Sequence, residues 1–183
     1  MRRPHLLATI VVLALLGLAL PSAALGGSRY VNPFSDAAWE PGRLDMGMDW
    51  APLRALPVRA VGNAVILGAE NHSGWPAHHL IWYQLTDGPL AGNVIYVAEH
   101  LTKLVPAGRV VHAGQRIATA LPGYPYIETG WADEYGSPRA YPCYKEGHAT
   151  NSGREMARFL SSLGAEIGMS APRVPAHPAG RRC

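Results

Sequence analysis

Residues 94–120 decide the fold: Val94-Ile95-Tyr96-Val97-Ala98-Glu99-His100-Leu101, a polar break, then Gly108-Arg109-Val110-Val111-His112-Ala113-Gly114-Gln115-Arg116-Ile117-Ala118-Thr119-Ala120. Val94–Leu101, Val110–His112 and Arg116–Ala120 are short runs of β-branched, aliphatic and aromatic residues, which favour strands. Ala113-Gly114-Gln115 between the last two has the length of a compact hairpin connection. The same texture extends outward. Val58–Val61, Ala64–Ala69, Leu80–Leu85 and Tyr126–Trp131 are further strand candidates, separated by Gly62-Asn63, His72-Ser73-Gly74 and Asp87-Gly88-Pro89. Strands this short and this closely spaced imply a mainly β fold, an antiparallel β-sandwich or barrel, in place of alternating βαβ units.

One C-terminal helix is expected. Ser152 and Glu155 have capping-box spacing, Met156, Phe159, Leu160 and Leu163 form one apolar stripe, and Gly164 stands where a left-handed residue ends a helix. The stripe suits packing as a lid on the sheet. From Gly27 to about Leu56, Pro33, Pro41 and Pro52 interrupt any long element, so an irregular segment is expected there.

The chain divides into three parts. Arg2 and Arg3 precede an apolar run, Leu6–Leu20, and then Pro21-Ser22-Ala23-Ala24, the order of a secretory leader over residues 1–26. The run is short for a bilayer span, so no membrane span is expected in the mature chain. Residues 27–168 form the β domain with its helix, and 169–183 a Pro- and Arg-rich tail. This places the protein in a secreted or cell-envelope setting, as a monomer. Of its 183 residues 16% are charged and 48% hydrophobic, with a net charge of +3. Such a balance excludes a disordered chain, a coiled coil and a polybasic nucleic-acid binder. The two cysteines, Cys143 and Cys183, suit an oxidising compartment and either pair or stand as unrelated thiols; their spacing excludes a zinc finger.

Chemistry is best sought in Arg43-Leu44-Asp45-Met46-Gly47-Met48-Asp49-Trp50 and around Tyr126-Ile127-Glu128. Even spacing on a strand puts Asp45 and Asp49 on one face, with Gly47 leaving room between them; Tyr126 and Glu128 share a face by the same rule. Asp45, Asp49 and Glu128 then make a cation or acidic recognition site. The competing reading is that the aspartates cap turns around Gly47 and Glu128 is an ordinary edge carboxylate.

The order Asp45-Met46-Gly47-Met48-Asp49, Pro57-Val58-Arg59-Ala60, Glu99-His100-Leu101 and Gly108-x-x-Val111-x-x-Gly114-Gln115-x-Ile117 resembles the lysostaphin-type zinc metallopeptidases, secreted bacterial peptidoglycan endopeptidases. That family reads His-x-Gly-x-Asp, Pro-Val-x-Ala, a strand ending in His-Leu, Gly-x-x-Val-x-x-Gly-Gln-x-Ile and finally His-x-His. The resemblance covers about half the chain. It implies the family fold and a metal site in which Asp45 stands for the first ligand, a histidine, and Asp49 matches the second. Setting Ile127 between the two last histidines puts Tyr126 at the general base and Glu128 at the third ligand. His100 matches a family histidine near the reaction centre, and no His-x-His occurs anywhere in the chain.

The departures carry the functional expectation. Zinc prefers nitrogen and sulfur, whereas an Asp/Asp/Glu set suits a hard divalent cation such as calcium, magnesium or manganese. A tyrosine with pKa near 10 is only about 0.1% ionised at pH 7, while an imidazole near 6.5 is mostly available as a base. The expected protein is a catalytically inactive, peptidase-like domain that binds a cell-wall glycan or peptide, with no metal or a hard divalent cation. The alternative is a metal-dependent peptidoglycan endopeptidase, holding zinc if active, with Asp45, Asp49 and Glu128 as ligands and His100 or Tyr126 assisting. Trp50, Tyr124 and Trp131 are candidate ligand-stacking faces or, equally in keeping with composition, core aromatics; Trp82 is assigned to the core.

Overall fold

Period-two alternation of large apolar side chains builds ten strands, and one helix closes the described part of the chain. In the computed structural model, which describes residues 30–168, these are β1 (Trp39–Leu44), β2 (Met48–Pro52), β3 (Leu56–Arg59), β4 (Ala64–Glu70), β5 (His79–Leu85), β6 (Val94–Glu99), β7 (Leu101–Thr102), β8 (Val110–Val111), β9 (Arg116–Ala120), β10 (Ile127–Ala132) and α1 (Asn151–Ser162). The leader and tail expectations, and any pairing of Cys183 with Cys143, lie outside the described residues. None of the described helices is long and apolar enough to cross a membrane.

All ladders are antiparallel. A seven-stranded sheet runs β1-β2-β10-β6-β5-β4-β8, and a three-stranded sheet runs β3-β9-β7. Neither sheet closes on itself, so the fold is a sandwich and not a barrel. The main core lies between the sheets and under α1. It holds Met48, Trp50, Ile81, Tyr83, Leu85, Ile95, Val97, Ile127 and Trp131 from the large sheet, Val58, Leu101 and Ile117 from the small one, and Met156 and Leu160 from the helix. Each of the larger side chains contributes roughly 1.5–3 kcal/mol by leaving water. The alternate residues of the same strands, Leu80, Trp82, Val94, Tyr96, Ala98 and Ala132, form a smaller cluster on the opposite face.

Four details differ from the sequence expectation. The segment expected to be irregular holds the β1–β2 hairpin. Its prolines are tolerated because β1 is the edge of the large sheet and Pro52 is the last residue of β2. The run Val94–Leu101 is broken at Glu99, whose φ is 82°, and the chain passes there from the large sheet into the small one. Ala113-Gly114-Gln115 is likewise a corner between sheets and not a hairpin, since β8 pairs with β4 and β9 with β3 and β7. Gln115 locks that corner: its amide donates to the His112 carbonyl at 2.9 Å, and its side-chain oxygen accepts from the His112 amide at 3.0 Å. Finally, Thr150 and not Ser152 caps α1, its Oγ1 accepting from the Gly153 amide at 3.0 Å. The stop at Gly164, with φ 86°, is where the sequence puts it.

Candidate functional site

The face of the large sheet away from the main core carries the chemistry. Alternation turns Trp50 and Ile127 into the core and leaves Asp49 and Glu128, direct cross-strand partners in the β2–β10 ladder, on the other side. Asp45 arrives differently. It does not share a strand with Asp49 but begins the tight turn between β1 and β2, where its amide donates to the Gly47 carbonyl at 3.1 Å and its Oδ1 accepts from the Met46 amide at 2.5 Å. One carboxylate oxygen from each of Asp45, Asp49 and Glu128 lies within 4.8 Å of the others.

The turn is fixed from below by α1. The Asp45 carbonyl accepts from the Thr150 amide at 2.9 Å and from Thr150 Oγ1 at 3.1 Å, and a Cβ on Gly153 would come within 2.2 Å of that carbonyl. Tyr96 fixes Glu128 from the side, its hydroxyl donating to Glu128 Oε1. Gly47 and Gly130 make room for this contact: a Cβ on Gly47 would stand 2.7 Å from the Tyr96 hydroxyl, and one on Gly130 would stand 2.6 Å from its ring. Asp45 and Glu128 are almost completely buried.

Beside this group opens a cleft of about 550 Å³. Its walls include five carboxylates (Asp49, Glu70, Glu99, Glu128 and Glu146) against one basic side chain among the described residues, Arg43. Arg43 forms ion pairs with Asp45 Oδ2 at 3.0 Å and Asp49 Oδ2 at 3.5 Å, and donates a hydrogen bond to Glu146 Oε1 at 3.0 Å. The Tyr144 hydroxyl donates to the other Glu146 oxygen at 3.1 Å. Four tyrosines of the rim, Tyr124, Tyr126, Tyr135 and Tyr141, account for four of the six exposed large hydrophobic side chains among the described residues. Exposed aromatic surface is therefore concentrated on this rim.

Burial and crowding shift these acids. Burial, reinforced by Asp45, pushes the Asp49 carboxyl up to about 7 despite the opposing pull of Arg43. Burial, with Asp49 and Asp45 adding repulsion, pushes Glu99 up to about 8. Asp45 is raised by burial although Arg43 and its own turn amides pull it down, and Glu128 is raised further by burial and by Asp45, with the Tyr96 hydrogen bond opposing. Burial works against the Arg43 charge, but Asp45, Glu146 and Asp49 outweigh it and hold the guanidinium above its usual range.

The other residues singled out in the sequence are placed as follows. Tyr124 and Tyr126 line the cleft, their rings edge-on at 5.9 Å. Trp50 and Trp131 do not: Trp50 stacks on Phe34 at 4.0 Å, and Trp131 packs against Phe159 and under Arg139, because alternation sends both into the main core. Trp82 is buried as assigned, its indole N–H donating to the Glu134 carbonyl. His100 does not line the cleft; the left-handed backbone at Glu99 breaks the alternation, and Glu99 lines it instead. Sequence reasoning gave no role to Arg43, Tyr96, Glu99, Tyr144 or Glu146. The one available signal was Arg43, a single base beside two aspartates in an eight-residue stretch.

The donors do not suit zinc. All three are carboxylates, Glu128 is already engaged by Tyr96, and a guanidinium sits on Asp45 and Asp49. No family model matches this chain, and no curated protein matches it. Among solved structures, the NMR solution structure of lysostaphin is similar, with a TM-score of 0.50 at 18% identity over 83% of this chain and 64% of that one. At that identity the likeness establishes a lysostaphin-like fold, and the chain spans just under two thirds of the lysostaphin chain.

Proposed function

We propose that this chain is a secreted or envelope-located, peptidase-like domain that does not hydrolyse peptides and instead binds a cell-wall glycan or peptide in the acidic, tyrosine-rimmed cleft. The observation that carries the reading is the composition of the site. Where a lysostaphin-type hydrolase needs imidazoles to hold zinc and move a proton, this chain presents Asp45, Asp49, Glu128 and Tyr126, with Arg43 lying across two of the acids. A neutral phenol is a poor base at pH 7, and an all-carboxylate set does not favour zinc.

Binding is supported by the rim. Tyr124, Tyr126, Tyr135 and Tyr141 offer flat apolar faces to sugar rings or peptide planes, while Glu70, Glu99 and Glu146 accept hydrogen bonds from hydroxyl and amino groups. The leader-like order of residues 1–26 supports a location outside the cytoplasm. The test is co-sedimentation with purified peptidoglycan. Wild type is expected in the pellet, and Tyr124→Ala combined with Tyr141→Ala in the supernatant. Equal sedimentation of the two, or none by wild type, would refute the reading.

A second reading rests on one distance. Carboxylate oxygens within 4.8 Å of one another span the coordination shell of a hard cation, so an oxygen-liganded peptidase remains the competitor. Release of peptidoglycan fragments that depends on added calcium or manganese, and is lost in Asp49→Asn, would decide in its favour.

A further inference from the structure

We infer that Arg43 is the resident cation of the Asp45–Asp49–Glu128 site: the chain carries its own counter-charge into the position where a metal ion would otherwise be held. Its guanidinium touches Asp45 and Asp49 on one side and Glu146 on the other, at 3.0, 3.5 and 3.0 Å. The two aspartates it contacts are two of the three carboxylates close enough to share one ion.

The chemistry favours arginine for this task. A guanidinium is planar, stays charged under all ordinary conditions and directs five donors along fixed directions, so one side chain can serve three carboxylates at once. It is also more weakly hydrated than an ammonium, which lowers the cost of holding it against two buried acids. The placement is built by the fold. Arg43 sits at the irregular end of the β1–β2 ladder, where the register shifts between Pro41 and Leu44. A Cβ at neighbouring Gly42 would come within 2.8 Å of Asp49 Cβ, so the hairpin strands are pressed together where the guanidinium must reach across. Glu146 then holds it from the opposite loop and is itself held by Tyr144, a latch over the mouth of the acid group.

Without Arg43, Asp45 and Asp49 lose the basic side chain that contacts them, and the three clustered carboxylates are left to be neutralised by protons or by a divalent cation. Arg43 therefore sets the metal preference of this site by excluding metal. This deepens the non-hydrolytic reading, yet the two fail separately. Loss of peptidoglycan binding leaves the Arg43 assignment standing, and metal binding by wild type overturns the assignment without touching ligand capture.

The experiment uses the full purified chain, stripped with chelator and titrated with calcium chloride, manganese chloride and zinc chloride in turn, by calorimetry and thermal unfolding. Wild type is expected to give no saturable binding and no shift in Tm. Arg43→Gln is expected to melt lower, to bind calcium or manganese at least tenfold more tightly than wild type, and to regain Tm when the ion is added. Arg43→Lys, a compact charge without the fork, falls between them. A wild-type chain that takes up one equivalent of any of the three ions overturns the assignment, as does an Arg43→Gln chain that matches wild type in both Tm and ion binding. Should Arg43→Gln not fold, the wild-type protein decides alone. Its Arg43 guanidinium protons, followed by ¹⁵N NMR, are expected to exchange slowly and to be unmoved by calcium; rapid exchange, or displacement by calcium, contradicts the assignment.

Discussion

The two faces of the seven-stranded sheet are made by the same strands and obey the same alternation, yet they are held by opposite physics. Toward the small sheet and α1, Met48, Ile127, Ile95 and Ile81 exclude water and need no partners. On the other face their immediate neighbours Asp49, Glu128 and Tyr96 are also withdrawn from water, and each must be satisfied by a specific group or a proton. The first face makes the fold stable. The second costs stability, because its polar groups give up their hydration.

The contrast can be broken from the apolar side with the largest effect. Trp50→Ala removes a fully buried ring and its stacking on Phe34, and should cost about 3–5 kcal/mol in urea denaturation. Peptidoglycan binding by the fraction that stays folded should be unchanged. Gly47→Ala attacks the seam between the faces. Its added Cβ meets the Thr129 carbonyl at 2.4 Å and the Tyr96 hydroxyl at 2.7 Å, so a loss of roughly 2 kcal/mol is expected together with weaker ligand binding.

The acidic face has a pH signature that the apolar face lacks. Asp49 moves from 3.8 to about 7 and Glu99 from 4.5 to about 8 on folding. The native chain therefore binds more protons than the unfolded chain between about pH 4 and pH 8, and its stability falls as pH rises through that window. The midpoint of urea unfolding should drop across that range, and Glu99→Gln should flatten the slope. A midpoint that rises with pH would contradict the placement of these acids. The smallest effect on stability belongs to the rim. Tyr124→Ala should change unfolding by less than about 0.5 kcal/mol while weakening retention on peptidoglycan, which separates recognition from folding.

The β architecture was legible because period two and turn residues leave strong local traces, as in Ile81–Leu85 and Ile95–Val97. The β1–β2 hairpin was not, because Pro41 and Pro52 read as breakers until the sheet order puts β1 at an edge. The convergence of Asp45, Asp49 and Glu128 was visible in motif order. Their even spacing suggested one strand, whereas a turn docked on Thr150, more than a hundred residues away, delivers Asp45. His100 and Glu99 exchanged expected places because a positive φ at a glutamate has no sequence signature. Arg43 and Glu146 meet across 103 residues, a separation that local pattern cannot bridge.

Whether this site hydrolyses peptide bonds is read by incubating the wild-type chain with purified peptidoglycan and counting newly exposed amino groups, with zinc, calcium or manganese present in turn. Counts indistinguishable from peptidoglycan alone are expected under all three ions. New amino groups that increase with protein concentration and vanish in Asp49→Asn would contradict it.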